Sequence, residues 1–263
     1  MTKIGLIQAS SGFDTTANLT SVRAYAAQAH QAGCEVACFP ECFLTGYSPE
    51  HAADLAIRSD SGILQEVSAA AQEFFVDLLV GYMERSGDLY YIAHGLFRRD
   101  GTRMVYRKSH LGKKEQEYFA AGDRLDVFPL SNGINIGFQI CVETHYPDIT
   151  QTLALRGAEI VFAPHAVPRV SGNRERIWSK YIPARSYDNR VFFACCNLWD
   201  EERFGGGCLV TDPRGDCVAA CFENMPQLLV CEIDTQLAVR FRTPGDKHSA
   251  QYYPAKRRKV MYD

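Results

Sequence analysis

The sequence has no Cys-x-x-Cys pair, no apolar run near the ~18 residues that a membrane-spanning helix needs, and little net charge. Its 28 basic and 31 acidic side chains leave a formal −3. The first absence removes the strongest zinc signature. The second gives no expectation of a membrane partner. The third, with an isoelectric point near 6.2, leaves no polyanion-binding footprint, so no nucleic-acid partner is expected. Proline- or serine-rich linkers, composition breaks, low-complexity tracts and repeats of solenoid period are missing too. The one basic cluster, Lys256-Arg257-Arg258-Lys259, reads as a solvated end.

What is present is an ordinary globular composition, 46% hydrophobic and 22% charged, able to bury a sizeable core. The 263 residues are read as one domain, 1–263. Ten cysteines are the unusual count. The chain opens Met-Thr-Lys-Ile-Gly-Leu-Ile-Gln-Ala-Ser, which reads as a first strand and not as a secretory signal. Reduced thiols and a cytoplasmic location are therefore expected. Cys34, Cys38 and Cys42 recur every fourth residue, but across a loop, a strand and a loop, so no shared metal site is expected.

Short apolar runs alternate with helical segments. Strands are expected at 4–7, 36–39, 77–83, 89–98, 103–110, 128–130, 134–140, 160–163, 191–196, 208–211, 217–221 and 228–233. Helices are expected at 18–32, 61–75, 149–156 and 173–189. Pro40 and Pro164 are read as strand stops, and Asp100-Gly101 as a hairpin turn. The fold class that accommodates so many buried strands is α/β, with two mixed sheets packed face to face and helices outside.

Three residues stand at or beyond the ends of buried strands, where reactive side chains are commonly displayed. Glu41 follows Phe39-Pro40 in apolar surroundings, and burial would raise its pKa toward that of a useful base. Lys108 ends Tyr106-Arg107-Lys108. Cys141 follows Gly137-Phe138-Gln139-Ile140 at the start of an expected helix, whose N-terminus would lower the thiol pKa. That arrangement has the form of a nucleophile elbow. Taken singly, each is also readable as a loop carboxylate, a charged strand end and a packed core thiol.

Together, Phe39-Pro40-Glu41, Tyr106-Arg107-Lys108 and Cys141-x-Glu143-x-x-x-Pro147-Asp148 resemble the nitrilase, or carbon–nitrogen hydrolase, superfamily. The likeness runs over essentially the whole chain. It includes Tyr118-Phe119-x-x-Gly122-Asp123, Pro164-His165-Ala166 and Pro183-Ala184-Arg185. It implies a four-layer α-β-β-α sandwich of the amidase or N-carbamoyl amidohydrolase type, and a homo-oligomer. It also implies Cys141 as nucleophile, Glu41 as general base, Lys108 as the cation for the tetrahedral intermediate, and a second glutamate, Glu115 in preference to Glu117. No metal or cofactor is signalled.

The chain departs from common members at Val142, often aromatic, and at Glu143, often Asp. Tyr47, Val142, Glu143, Thr144, His165 and the stretch Val167 to Arg176 are candidates for the substrate pocket, Glu143 as a partner for an amine. Arg169, Arg174 and Arg176 read first as surface or subunit-contact charges, with a substrate carboxylate as the alternative. The expected reaction is cleavage of a non-peptide C–N bond in a small linear amide or N-carbamoyl compound, through a cysteine thioester, with release of ammonia. Nitrile hydrolysis and a ligand- or partner-binding role without catalysis are the alternatives. A Cys141–His145 dyad is a rival mechanism.

Overall fold

The computed structural model describes residues 1–247 and 252–256. Of the basic cluster, 257–259 lie outside the described residues. The strands are β1 (Thr2–Gln8), β2 (Val36–Cys38), β3 (Ile57–Arg58), β4 (Asp77–Ser86), β5 (Leu89–Phe97), β6 (Arg103–Arg107), β7 (Val127–Pro129), β8 (Asn135–Phe138), β9 (Ile160–His165), β10 (Phe192–Asn197), β11 (Cys208–Thr211), β12 (Cys217–Cys221) and β13 (Gln227–Ile233). The helices are α1 (Thr15–Gln31), α2 (Ala52–Leu55), α3 (Gly62–Phe74), α4 (Pro147–Leu155), α5 (Arg174–Trp178), α6 (Ile182–Asn189) and α7 (Gln236–Arg242). No helix among the described residues is long and apolar enough to cross a membrane.

Two sheets carry the molecule, one in the order β13-β1-β2-β4-β5-β6 with β3 beside β4, the other in the order β12-β11-β10-β9-β8-β7. Each has a parallel centre, β1-β2-β4 and β8-β9-β10, flanked by antiparallel neighbours. Strands at these centres are covered on both faces, so their sequences are apolar throughout instead of alternating with polar residues. The period of two then decides which apolar layer each side chain enters. Val36 and Cys38 face the other sheet, while Ala37 faces α1 and α3. Phe192, Ala194 and Cys196 lie between the sheets; Phe193 and Cys195 lie under the helices of the opposite layer. The neighbouring thiols Cys195 and Cys196 thus occupy different cores. The result is the four-layer α-β-β-α sandwich.

The structure departs from several local expectations. The helix expected over 173–189 is two short ones, α5 and α6. Pro183 cannot donate to a carbonyl one turn back, so α6 must restart with the proline in its first turn, where no such bond is needed. Conversely, Pro164 does not stop β9, which runs on to His165. The neighbouring strand β8 pairs as far as Phe138 opposite Phe162, and Gln139 N–H still donates to Phe162 O at 2.9 Å, so the missing N–H of Pro164 falls where that ladder ends. The short elements α2, α7 and β3 have too little periodicity to be found in sequence.

One glycine fixes the distance between a strand and the loop that carries Glu41. The loop after β2 lies along β4, with Phe39 N–H donating to Leu79 O at 2.8 Å and Leu44 N–H to Gly81 O at 2.9 Å. A Cβ on Gly81 would stand 2.5 Å from Cys42 N and 2.8 Å from Pro40 O. Both contacts are backbone and cannot rotate away. Gly81→Ala is therefore expected to cost about 1–3 kcal/mol by overpacking and to displace the 40–45 loop. Urea unfolding checks the first, and an iodoacetamide reaction rate at Cys141 altered from wild type checks the second.

Candidate active site

Glu41, Lys108 and Cys141 meet in space although they follow β2, β6 and β8. The carboxyl ends of the parallel strands β2, β8 and β9 open on the same side, the usual place for a site in such sheets. Lys108 arrives from β6, held by its N–H to Ile92 O at 2.8 Å. Its Nζ donates to Glu41 Oε1 at 2.7 Å and to Glu115 Oε1 at 2.8 Å. All three charged side chains are shut away from water, with residue exposures of 1% for Glu41 and Lys108 and 3% for Glu115. Glu115 Oε1 also accepts from Tyr47 Oη at 2.8 Å, and its Oε2 from Gly112 N at 2.6 Å. Glu117, its rival in sequence, is exposed.

The electrostatics follow from burial. Burial opposes charge on Lys108, but Glu41, Cys141 and Glu115 outweigh it and hold the ammonium well above its ordinary pKa. Glu41 is pushed up to about 7, mainly by burial, with Lys108 pulling down and Glu115 pushing up. Its Oε2 has no hydrogen-bond partner in the protein, and the Cys141 thiol acts on the same carboxylate. Cys141 is itself raised, by burial first and by Glu41 next. This reverses the expectation of a helix-lowered thiol. Cys141 opens a 3-10 turn of five residues, Cys141–His145, where α-helix was expected, and desolvation outweighs any dipole at so short an element.

Cys141 adopts φ +51°, in the left-handed region. A side chain there is costly, and the strained strand-to-turn corner is what projects the thiol forward. Glu143 secures this corner. Its Oε2 accepts from Ile140 N at 2.7 Å. Its Oε1 accepts from Ser109 N, Ser109 Oγ and Tyr106 Oη at 2.6–2.7 Å and from His110 N at 3.2 Å. One carboxylate thus ties the strand end bearing Lys108 to the turn bearing Cys141.

In front of Cys141 lies a pocket of about 300 Å³. Val142, Val167, Ile177 and Tyr181 give it apolar walls; His145, His165, Ser171 and Arg174 are its polar side chains. A larger cleft of about 620 Å³ lies behind the second sheet, beside Cys217 and Glu223. It meets none of the three central residues, so its size does not make it the site.

Of the pocket candidates, Val142 and His165 line it, with Val167, Ser171 and Arg174 from the 167–176 stretch. Glu143 does not: it is fully buried, and its oxygens are taken by five protein donors, so it cannot hold a substrate amine. Thr144 is buried as well, its hydroxyl donating to Cys141 O at 2.7 Å and paired with Tyr181 Oη at 3.0 Å. Tyr47 reaches the site through Glu115. His165 Nδ1 donates to Ala163 O at 2.8 Å, which leaves Nε2 as an acceptor. The ring is neutral, since burial depresses its pKa to about 3. His145 stacks near Tyr181 and has no hydrogen bond to Cys141 among the described residues, which leaves the dyad without its geometry.

Arg169 is turned to Asp200 O and Asn224, and Arg176 is exposed. Arg174, read first as a surface charge, is half-buried in the pocket. Tyr181 and Ile177 were not foreseen. They come from a helical segment 36 or more positions beyond Cys141, and only the chain's return over β9 brings them in.

The Carbon-nitrogen hydrolase family model matches residues 3–243. A Pseudomonas protegens protein named "Hydrolase in pqqF 5'region" is 31% identical, over 95% of this chain and 86% of its own length. An (R)-stereoselective amidase from a Pseudomonas species is 30% identical, over 81% of this chain and 78% of its own. Among solved structures, an amidase variant from Nesterenkonia sp. AN1 superposes with a TM-score of 0.84 at 22% identity, covering 99% of this chain and 95% of that one. That structure shows covalent addition of the acetamide moiety of fluoroacetamide at its active-site cysteine.

Removing the ammonium should unbalance the buried carboxylates. Lys108→Ala is expected to lose about 3–5 kcal/mol of stability, the cost of leaving buried charges unpaired. The sign with pH is fixed. Without Lys108 the folded-state pKa of Glu41 rises further, so the deficit is largest at pH 8 and shrinks toward pH 5 as Glu41 protonates. Urea unfolding at the two pH values measures it.

Proposed function

The chain belongs to the carbon–nitrogen hydrolase family, and we propose that it hydrolyses the C–N bond of a small linear amide or N-carbamoyl compound through a thioester on Cys141, releasing ammonia. The observation that carries this reading is the buried contact of Lys108 with Glu41 and Glu115 beside a pocket-facing thiol. Amide cleavage needs a nucleophile, a proton carrier and a donor for the developing oxyanion. Cys141, Glu41 and Lys108 supply one each.

The raised thiol pKa dictates the order of events. Little free thiolate exists at neutral pH, so proton removal must accompany attack. Ionised Glu41 takes the proton from Sγ as sulfur adds to the amide carbon. The carbonyl oxygen becomes an oxyanion beside Lys108 Nζ and the N–H of Val142, which sits in the first turn after Cys141, where N–H groups lack intrahelical partners. Protonated Glu41 gives its proton to the leaving nitrogen; the C–N bond breaks and ammonia departs. Water then attacks the thioester with Glu41 again as base, and the acid leaves as Cys141 recovers its proton.

Lys108 acts by charge, because its two carboxylate neighbours keep it protonated throughout. Glu115 holds Lys108, and Tyr47 and Gly112 hold Glu115. Val142 and His165 are read as contacts to the substrate. The same reading includes a reduced, cytoplasmic setting, supported by ten free thiols, and a homo-oligomer, which light scattering checks.

An ammonia-release screen over primary amides, N-carbamoyl compounds and nitriles tests the reaction; turnover of nitriles alone, or of nothing, refutes it. Within it, Lys108→Ala is expected to turn over ~10²–10³ more slowly per folded molecule, the usual loss for one oxyanion donor. The pH profile of kcat/KM should fall as pH drops through about 7, where Glu41 becomes protonated. Glu115→Gln should move that limb to lower pH, since Glu115 raises Glu41. A limb unmoved in that variant would contradict the assignment of Glu41 as base.

A further inference from the structure

The pocket before Cys141 contains a cation that no anion among the described residues neutralises. Arg174 lines the same cavity as Cys141. Its Nε donates to Gly172 O at 3.2 Å, and its Nη2 to Ser171 O at 2.6 Å and Gly172 O at 3.1 Å. These bonds fix the guanidinium plane against the loop after β9. They leave Nη1 with no acceptor among the described residues. No carboxylate among those residues lies within ion-pair distance. The groups whose charge acts on Arg174 are Tyr181 and Cys141.

The surroundings repeat the same sign. Arg185 donates to Thr144 O at 3.2 Å on the far side of Tyr181. Burial, then Arg185 and Arg174, keep His145 below its ordinary pKa. The site's own carboxylates are spent: Glu41 and Glu115 on Lys108, Glu143 on its five donors. A substrate ammonium would therefore stand beside the Arg174 guanidinium with no carboxylate in the pocket wall to meet it; the one acid acting on Arg185, Asp188, does not line the cavity. A carboxylate would meet a fixed planar fork, the geometry that favours arginine for this task. Between the thiol and the fork the walls are Val142, Val167, Ile177 and the ring of Tyr181, which suit a short aliphatic chain and no further charge. A cavity of about 300 Å³ sits at the small end of ligand sites.

We propose that the substrate is the monoamide of a short dicarboxylic acid, its amide at Cys141 and its free carboxylate on Arg174. This rests on the amidase reading above and narrows it. Water enters, the C–N bond breaks, and the products are ammonia and the dicarboxylic acid. The carboxylate acts as an anchor, and it aligns the amide carbon with the thiol without touching the proton transfers.

The test compares kcat/KM for succinamate and glutaramate with that for valeramide, whose chain is similar in length and uncharged. Wild type should prefer the acid amides at least tenfold. In Arg174→Met the ratio of acid to neutral amide should fall by about 10–10²-fold, the usual loss for a hydrogen bond to a charged group. The loss should appear chiefly in KM. Arg174→Lys, which keeps the charge and loses the fork, should fall in between. Neutral amide turned over as well as acid amide in wild type, or a ratio unmoved in Arg174→Met, overturns the proposal while leaving the amidase reading intact. A second readout needs no turnover: glutarate should protect Cys141 from iodoacetamide in wild type and not in Arg174→Met, by mass spectrometry. Protection without hydrolysis of any amide would sink the amidase reading and leave the carboxylate site standing; absence of protection counts against the site.

Discussion

A single ammonium held between two carboxylates in a dry interior is the constraint around which this structure is arranged. Lys108 would not keep its charge there alone, and Glu41 would lose its own more readily without Lys108. Burying such a group costs several kcal/mol per ion unless partners compensate, so the three positions must be held to within a hydrogen-bond length. That requirement reaches outward. Tyr47 and Gly112 fix Glu115, Ile92 fixes the backbone at Lys108, and Gly81 sets how closely the Glu41 loop approaches β4.

The same burial supplies the chemistry. In the proposed reaction, desolvation that raises Glu41 to about 7 lets it serve as a base that also returns its proton near neutrality. Desolvation that raises Cys141 keeps the resting thiol neutral and makes its activation depend on Glu41. A more open site would yield a more acidic carboxylate and a less dependent thiol. Glu143 serves the opposite end of the same problem. It carries no counter-ion; five hydrogen bonds hold it, and through them the two loops that present the cation and the nucleophile stay in register.

Much of this was readable along the chain. The apolar runs of β1, β2, β4, β8, β9 and β10 announce strands buried on both faces, and two packed sheets with outer helices follow from their number. Glu41, Lys108 and Cys141 announce themselves as charged or reactive residues at the ends of such runs. The errors share a cause. Pro164 reads locally as a strand stop and Pro183 falls inside an expected helix, yet each outcome depends on a neighbour: where the β8 ladder ends, and where α6 can restart. The thiol at Cys141 was assigned a helix-lowered pKa because a dipole is visible in sequence and burial is not.

The sequence by itself determined the layers, the order of most elements and which charged or thiol side chains stand at the ends of buried strands, because these depend on local periodicity and residue chemistry. Tertiary structure alone decided which charges are satisfied. Glu143 looked available for a substrate amine and is consumed by Tyr106, Ser109, His110 and Ile140. Arg174 looked like a surface charge and is left as the pocket's uncompensated cation. Glu115 rather than Glu117 meets Lys108 because one turn of 3-10 helix buries the first and exposes the second. Whether a polar side chain has a partner is a sum over neighbours from distant parts of the chain, and no local pattern encodes that sum.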